Sequence, residues 1–408
     1  MGERPMRLAD AVQSPRRIAL FLAAALGLAA TSAFAEVDGV TADEVLFGMS
    51  TALSGPLKDY GQQMQIGFES AFAAQNKAGR VNGRKLKLVV LDDGYEPERT
   101  KVAMRQLVEK QKVFAVVGNV GTPTAAVSLP YILEKGVLFY APFSGADLLR
   151  NDPPDRFVFN FRASYWEEMA AAVKYLVDVK GIKPDQIAVL AQNDSYGEAG
   201  FDGVAYMMRK YKRDPRQVLR VGYKRNTTDV AEAVRVIKAN APKLRAVVMA
   251  STSKATARFV QKMKEENLDL TLATISGVNS SELAEQLMLL GPRFAEGVIV
   301  TQIVPLPTSR SSAIMQYQQA LALSAPSEKP GFISLEGYIA ANLLIEGLRR
   351  AGRDLTTDSL VTALESIKNL DIGIGVNLSL GPSEHQASHK VWLTSLDAQG
   401  AYRAIHFE

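Results

Sequence analysis

Side chains that could perform acid–base or metal chemistry are scarce in this chain of 408 residues. It contains no cysteine and three histidines, at His385, His389 and His406. Without cysteine there is no thiolate nucleophile, thiolate metal ligand or disulfide, and three histidines leave little choice of a general base near neutral pH. His385 and His389 are four residues apart, but they follow Gly381-Pro382 and no third metal ligand is evident. We therefore expect a solvated loop there and no metal site.

Motifs that bind a nucleotide or activate a serine are also missing from the sequence. It has no G-x-G-x-x-G loop, no phosphate loop ending in Gly-Lys-Ser or Gly-Lys-Thr, and no G-x-S-x-G turn. Lysine and arginine number 47 against 43 aspartate and glutamate, and the two signs are interspersed. Such a surface does not favour nucleic acid. We expect a protein that is not an enzyme, uses no cofactor and has no nucleic-acid partner.

The N-terminal sequence has the pattern of an export signal, predicted over residues 1–35. Arg16-Arg17 precede a 13-residue apolar run, which is too short to cross a bilayer but has the length of a signal-peptide core. Ala33-Phe34-Ala35 then has the small-x-small pattern of a cleavage site. We predict cleavage after Ala35 and a periplasmic mature protein.

Short apolar runs alternate with longer amphipathic segments along the rest of the chain. This alternation predicts parallel sheets covered by helices. It restarts after the turn-rich sequence Asn151-Asp152-Pro153-Pro154, which favours two lobes. We therefore predict an α/β protein with two doubly wound parallel-sheet lobes. The predicted strands cover residues 44–49, 85–91, 114–117 and 137–140 before the break and 186–192, 218–223, 246–250, 270–275 and 297–302 after it.

Seven short motifs, taken together in their order and spacing, resemble the branched-chain amino-acid-binding family of periplasmic receptors, whose members serve ABC transporters. The resemblance covers nearly all of residues 43–400, although each motif alone has little specificity. The motifs are Ser54-Gly55-Pro56-Leu57-Lys58-Asp59-Tyr60-Gly61, Val81-Asn82-Gly83-Arg84-Lys85-Leu86, Asp92-Asp93-Gly94-Tyr95-Glu96-Pro97, residues 118–124, Pro142-Phe143-Ser144-Gly145-Ala146, Tyr196-Gly197-Glu198 and Leu335-Glu336-Gly337-Tyr338.

The resemblance implies a type I periplasmic-binding fold, in which two α/β lobes are joined by three hinge crossings and close over a ligand. It also implies a monomeric solute-binding protein that hands a small molecule to the membrane permease of an ABC transporter. We expect the crossings near Phe161, Ile303 and Asp371. Lobe 1 then comprises residues 36–161 and 304–371, and lobe 2 comprises residues 162–303 and 372–408.

The same resemblance implies where a ligand binds, at loops that follow the strands. Thr122 corresponds to a position whose hydroxyl and backbone N–H hold a ligand carboxylate, although capping a helix explains it equally well. Ser144 and Gly145 belong to the next loop, where glycine permits close backbone approach and a plain turn is the alternative. Tyr60 and Tyr196 correspond to tyrosines that line the cleft, one from each lobe.

Further candidates lie in the second lobe, where the sequence departs from the amino-acid receptors of this family. Thr252 and Ser276 correspond to loop residues on the same cleft. Such receptors hold the ligand ammonium with acidic residues, and those positions are occupied here by Tyr165 and Ser276. A desolvated ammonium without a carboxylate is costly, and Phe143 adds further aromatic surface. We therefore predict a less charged, more apolar ligand, such as an aromatic or hydrophobic acid, an amide or a lipid-like molecule.

Three alternatives stay open from the sequence. The ligand is an amino acid if its ammonium is met from a neighbouring position by Glu167, Glu168 or Glu336. The same fold also serves periplasmic sensors that act through a separate membrane partner. A carrier of hydrophobic cargo with a wider cleft is the third possibility.

Overall fold

The structure is a computed structural model that describes residues 1–2 and 37–406. The predicted export signal and its cleavage site after Ala35 lie outside the described residues. Between residues 37 and 406 the chain alternates strands and helices, as the sequence pattern predicts.

The first part of the chain forms a parallel sheet of five strands in the order β2-β1-β3-β4-β5. Because β1 lies inside the sheet, the later strands are added on both sides of it, as in other doubly wound sheets. The strands are β1 (Glu44–Thr51), β2 (Lys85–Asp92), β3 (Ala115–Val117), β4 (Leu138–Tyr140) and β5 (Val158–Phe159). The helices between them are α1 (Lys58–Ala78), α2 (Pro97–Arg105) and α3 (Thr122–Lys135).

A second run of strands and helices follows and forms lobe 2. Its strands are β6 (Ile187–Gln192), β7 (Arg220–Tyr223), β8 (Ala246–Ala250), β9 (Thr271–Thr274) and β10 (Ile299–Gln302). Its helices are α4 (Tyr165–Lys174), α5 (Ser195–Lys210), α6 (Ala231–Asn240), α7 (Ser253–Glu265), α8 (Ser280–Leu290) and α9 (Pro292–Ala295).

The last third of the chain adds to both lobes. Lobe 1 receives α10 (Ser312–Ser324), α11 (Phe332–Ala351), α12 (Thr357–Glu365) and a short antiparallel pair, β11 (Leu370–Asp371) and β12 (Asn377–Leu378). Lobe 2 receives β13 (Trp392–Leu396) and β14 (Tyr402–Ile405), which complete the order β14-β13-β10-β9-β8-β6-β7. β13 is antiparallel to β10, and β14 is antiparallel to β13, to which a short turn joins it. The expected parallel sheet therefore covers five of the seven strands of lobe 2.

The chain passes between the lobes three times. It leaves lobe 1 after β5 and returns after β10, where Ile303 and Val304 already belong to the core of lobe 1. The third passage does not lie near Asp371, the position expected from the sequence. It lies between residues 388 and 392, because the apolar side chains that follow Asp371 are buried in the core of lobe 1. These side chains are Ile374, Leu378, Leu380 and Ala387.

Each sheet is buried on both faces. In β6, Ala188 and Leu190 belong to one core, whereas Val189 and Ala191 belong to the other. Successive side chains of a strand point to opposite faces, so a continuous apolar run supplies two cores at once. None of the helices that the structure describes has the length and hydropathy needed to span a membrane.

A Tyr-Gly pair begins one helix of each lobe, Tyr60-Gly61 in α1 and Tyr196-Gly197 in α5. A Cβ atom added to Gly61 would lie 1.9 Å from the carbonyl oxygen of Ala52, and one added to Gly197 would lie 1.9 Å from that of Gln192. The first turn of each helix therefore rests directly on the end of the preceding strand, an approach that requires glycine. The tyrosine beside each glycine lines the space between the lobes.

We expect Gly197→Ala to lower the free energy of unfolding by about 1–3 kcal/mol, because the added methyl group displaces the start of α5. Urea denaturation measures this change. Gly331→Ala is the matched control, since an added Cβ at Gly331 would meet no atom closer than 3.4 Å. Equal stability of Gly197→Ala and the wild type would contradict the packing argument.

Candidate functional site

Five aromatic rings fill the space between the lobes. Tyr60, Tyr95 and Phe143 come from lobe 1, and Tyr165 and Tyr196 come from lobe 2. They leave a void of ≈ 10 Å³, which is room for about one water molecule. A ligand larger than water therefore requires the lobes to move apart. The other residues that line this void are Leu57, Val120, Gly121, Thr122, Thr252 and Gly277.

The hydroxyl of Tyr60 joins lobe 1 to lobe 2. It accepts hydrogen bonds from the backbone N–H groups of Ser253 (2.8 Å) and Asn279 (2.9 Å), at the starts of α7 and α8. It also donates to Ser253 Oγ (3.2 Å), which in turn donates to Glu282. Burial and the carboxylate of Glu282 raise the pKa of Tyr60, so the phenol keeps its proton. We call these bonds between the lobes the Tyr60 latch.

A second set of bridges lies beside the latch. The hydroxyl of Tyr95 accepts a hydrogen bond from Gln192 Nε2 (3.1 Å) of lobe 2. Nearer the surface, Glu96 of lobe 1 receives hydrogen bonds from Arg225 (2.9 Å) and Asn226 (2.6 Å) of lobe 2. Outside the latch the cleft widens into a pocket of ≈ 540 Å³, lined by residues 56–57 and 60, 226–229 and 252–254.

Thr122 and Ser144 form a pair of buried hydroxyl groups in the wall of lobe 1, with their Oγ atoms 2.7 Å apart. Helix α3 begins at Thr122 itself, after Gly121, and the start has no side-chain cap. The hydroxyl of Thr122 therefore does not cap α3, which removes one of the two explanations that the sequence offers. Pro123 has no N–H, but the N–H groups of Thr122 and Thr124 in the first turn have no partner within the helix, so a ligand oxygen can bind beside Thr122.

Gly145 brings the first helix of lobe 2 against lobe 1. The N–H of Tyr165 donates to the carbonyl oxygen of Gly145 (2.7 Å), and a Cβ atom on Gly145 would lie 2.5 Å from that nitrogen. The ring of Tyr165 thereby reaches the cleft, where its centre lies 5.2 Å from that of Tyr196. Thr252, just before α7, donates its N–H to the hydroxyl of Tyr223 (2.9 Å), which fixes this part of the lining.

A buried arginine stands at the hinge end of the cleft. Arg162 lies in the first crossing and its side chain is 1% exposed. Its Nε lies 3.5 Å from Glu336 of α11 in lobe 1, and its Nη2 lies 3.7 Å from Glu168 of α4 in lobe 2. Nη2 also donates to the hydroxyl of Ser276. One guanidinium thus contacts carboxylates of both lobes.

The same guanidinium packs against the aromatic lining. Its central carbon lies 4.4 Å from the ring centre of Phe143 and 5.4 Å from that of Tyr165. Among the described residues, neither Nε nor Nη1 of Arg162 has a hydrogen-bond acceptor. Arg162 therefore lies one ring behind the void, with part of its donor capacity unused.

The carboxylates around Arg162 differ in their hydrogen bonding. Glu168 accepts from the N–H (2.8 Å) and the hydroxyl (2.8 Å) of Ser276 and from the hydroxyl of Thr301 (2.5 Å). Glu336 is held by the ion pair with Arg162. Burial raises the pKa of Glu336 to about 7, and it also raises the pKa of Glu168, although Arg162 opposes both changes.

Glu167 is used outside the cleft. It forms a capping box with Ser164 at the start of α4, and it accepts hydrogen bonds from Gln386 Nε2 (2.8 Å) and His389 Nδ1 (2.7 Å). Burial opposes the ionised form, but the hydrogen bonds from His389 and Ser164 hold the pKa of Glu167 below its usual value. The hydrogen bond with Glu167 also raises the pKa of His389.

His385 and His389, the two histidines considered as metal ligands from their spacing, have different partners. His385 is buried, its Nδ1 lies 2.9 Å from the carbonyl oxygen of Val158, and its Nε2 lies 3.2 Å from Glu365. His389 instead pairs with Glu167. Within residues 37–406, no three histidine or acidic side chains are grouped as metal ligands.

The cleft brings together six of the nine candidate ligand residues that the sequence suggests. The other three candidates lie directly behind the six residues that line the void; they are Ser144, Gly145 and Ser276. Sequence reasoning missed Tyr95 and Arg162. Tyr95 follows the end of β2, so its position in a strand-end loop was the available signal. No spacing or motif distinguishes Arg162, because its contacts come from parts of the chain far apart in sequence. The six residues that line the void are Tyr60, Thr122, Phe143, Tyr165, Tyr196 and Thr252.

Comparisons with known proteins give a consistent result. A family model described as periplasmic binding protein matches residues 44–401. A solved structure from Rhodopirellula baltica SH 1, described as a possible leucine/isoleucine/valine-binding protein, is 36% identical with a TM-score of 0.85, covering 91% of this chain and 98% of that one. An amino acid binding protein of Pseudomonas aeruginosa is 27% identical over 282 residues, which are 69% of this chain and 73% of that protein.

One more distant similarity concerns the fold alone. A fatty acid ABC transporter substrate-binding protein from Thermomonospora curvata is 20% identical with a TM-score of 0.80, and the match covers 91% of this chain and 93% of that one.

Removing the Tyr60 hydroxyl should favour separated lobes. In Tyr60→Phe the N–H groups of Ser253 and Asn279 lose their acceptor, which costs on the order of 1–3 kcal/mol in the closed form. Small-angle X-ray scattering of the ligand-free protein should then give a larger radius of gyration than for the wild type.

The control for this experiment is Tyr317→Phe. The buried hydroxyl of Tyr317 also accepts a backbone N–H, from Gly331 (3.0 Å), but both residues belong to lobe 1. This variant should lose stability without a change in radius. The latch would be refuted if both variants kept the wild-type radius.

Glu336→Gln should weaken the dependence of stability on pH. The pKa of Glu336 is about 7 in the folded protein against an ordinary value of 4.5, so the unfolded chain loses this proton at lower pH. Wild-type stability therefore falls as the pH rises from about 4.5 to above 7, by up to about 3 kcal/mol from this group. Urea denaturation of both proteins at several pH values measures the difference. Parallel profiles for the two proteins would contradict the assignment.

Proposed function

The chain belongs to the periplasmic binding protein family, and we propose that it captures a small organic ligand between its lobes and delivers it to the membrane permease of an ABC transporter. The observation that carries the proposal is the Tyr60 latch together with the ≈ 10 Å³ void behind it. Entry of a ligand separates the lobes, and closure over the ligand brings them together again. Ligand capture and lobe movement are therefore one event, which a permease recognises by shape.

The ligand in this proposal is more apolar than a free amino acid. Five of the eleven residues that line the void are aromatic, and such rings favour an apolar or aromatic body. The first turn of α3, at Thr122, supplies free N–H groups for an oxygen of the ligand. An aromatic or hydrophobic carboxylic acid satisfies both features, and an amide or lipid-like molecule satisfies the first. The fold itself accommodates apolar ligands, since one structural relative is described as a fatty acid binding protein.

The assignment of ligand residues is part of the proposal. We assign the ligand contacts to the six residues that line the void and assign a supporting role to the three behind them. Thr122 binds a ligand oxygen, and the rings of Tyr60, Phe143, Tyr165 and Tyr196 enclose the ligand body. Ser144 orients the hydroxyl of Thr122, Gly145 positions Tyr165, and Ser276 holds Glu168.

A receptor for amino acids is the second candidate function. The relatives described as amino acid and leucine/isoleucine/valine-binding proteins support it. It requires an acceptor for the ligand ammonium, and of Glu167, Glu168 and Glu336 the last has the most free capacity, since one ion pair holds it.

The family is periplasmic, and we propose that the chain reaches the periplasm by cleavage after Ala35 and acts there as a monomer. The pattern of charged, apolar and small residues before Ala35 supports this route. N-terminal sequencing of the exported protein tests it, and a mature chain that starts elsewhere would correct it.

A thermal-shift screen tests the ligand. The exported protein is unfolded and refolded to remove bound solute, then heated with free amino acids or with apolar acids, amides and fatty acids of similar size. A ligand at about 100 times its dissociation constant should add about 2.7 kcal/mol to stability. We expect stabilisation by apolar compounds, and loss of the response in Tyr165→Ala. Stabilisation by leucine or valine alone would establish the second candidate instead.

A further inference from the structure

The charges at the hinge end of the cleft are arranged around Arg162. The side chain is 1% exposed, and within the described chain its Nε and Nη1 have no hydrogen-bond acceptor. It lies against the rings of Phe143 and Tyr165, which line the void. Because Nε and Nη1 have no acceptor, the guanidinium can still bind an anionic oxygen, whereas a second cation would have to compete with it for Glu168 and Glu336.

The three glutamates that the sequence suggests as partners of a ligand ammonium already have partners within the protein. Glu168 accepts three hydrogen bonds from Ser276 and Thr301 and is also paired with Arg162. Glu336 is paired with Arg162 from the other side. Glu167 points to a different set of partners, including His389. An ammonium group that entered the cleft would have to displace the guanidinium from Glu168 or Glu336.

We infer that Arg162 determines which charge a ligand can carry: its guanidinium fills, from within the protein, the place that a ligand ammonium would need beside Glu168 and Glu336. The cleft therefore selects carboxylates that lack an ammonium group over amino acids and amines with the same carbon skeleton. The carboxylate is attracted by the guanidinium and by the first turn of α3 at Thr122. This inference rests on the proposed function, since it requires a ligand between the lobes.

Matched sets of three compounds test this charge selection. One set is 4-methylpentanoate, leucine and 3-methylbutylamine, and the other is 3-phenylpropanoate, phenylalanine and 2-phenylethylamine. Within a set the apolar body stays similar while the compound carries a carboxylate, both charged groups or an ammonium. Isothermal titration calorimetry of the refolded wild type should give the tightest binding for the carboxylate of a set, by at least about tenfold over the amino acid.

Removal of the cation should reverse this order. In Arg162→Gln, Glu168 and Glu336 lose their cation, so we expect weaker binding of the carboxylate and a gain of binding for the amino acid or the amine. Arg162→Lys keeps the charge and should keep the wild-type order. Arg162→Gln leaves two buried carboxylates without a cation, which could prevent folding. A double variant, Arg162→Gln with Glu336→Gln, is therefore measured as well. This double variant removes one charge of each sign and keeps the hydrogen-bonded Glu168 as the free acceptor.

Arg220→Gln is the matched control. Arg220 also pairs with a glutamate, Glu198, and lies 4.7 Å from the ring centre of Phe201, but on the outer surface of lobe 2. The Arg220→Gln variant should show the same order of affinities within each set as the wild type. The inference is overturned if the wild type prefers the amino acid of a set, or if the folded Arg162 variants without the cation keep the wild-type order. Wild-type protein that binds no member of either set, nor any compound of the wider panel, would instead count against the proposed function.

Discussion

Arg162 lies in the first crossing between the lobes, with a carboxylate from each lobe on either side of its guanidinium. Desolvating three charged groups is costly, so the segments that carry them must keep their positions for the charges to compensate one another. These segments are the crossing itself, α4 of lobe 2 and α11 of lobe 1. The cluster therefore fixes where the hinge lies and which aromatic rings stand in front of it. When the lobes move, the three charged side chains have to stay together, because separating them would leave a buried charge without its partner.

At the outer end of the cleft, the Tyr60 latch uses uncharged groups instead. Two backbone N–H groups from helix starts converge on one phenol oxygen. Such bonds are individually modest, and water can replace them when the lobes separate. The cleft thus has a buried ion group at its hinge end, whereas its outer end has the Tyr60 latch and the more exposed pair of Glu96 and Arg225.

The fold class and the family resemblance were predictable from the sequence, and the structure and the family match confirm both. The prediction succeeded because strands buried on both faces appear as short apolar runs, such as β6 and β8. Three details were not predictable. The third crossing lies beyond Asp371 because Ile374 and Leu378 pack in lobe 1, and α3 begins without a side-chain cap. The strands β13 and β14 are antiparallel because their connection is too short for a crossover.

The sequence by itself determined the local features of this protein: the alternation of strands and helices, the Tyr-Gly starts of α1 and α5, and the scarcity of residues for catalysis. These depend on side-chain periodicity and on neighbours within a few residues. Only the tertiary structure decided which charges meet. Arg162 and Glu336 are far apart in the sequence, and although Glu336 belongs to one of the family motifs, nothing in the sequence pairs it with Arg162. Their pairing follows from burial, because a charge removed from water must find its partner wherever the fold brings one within reach.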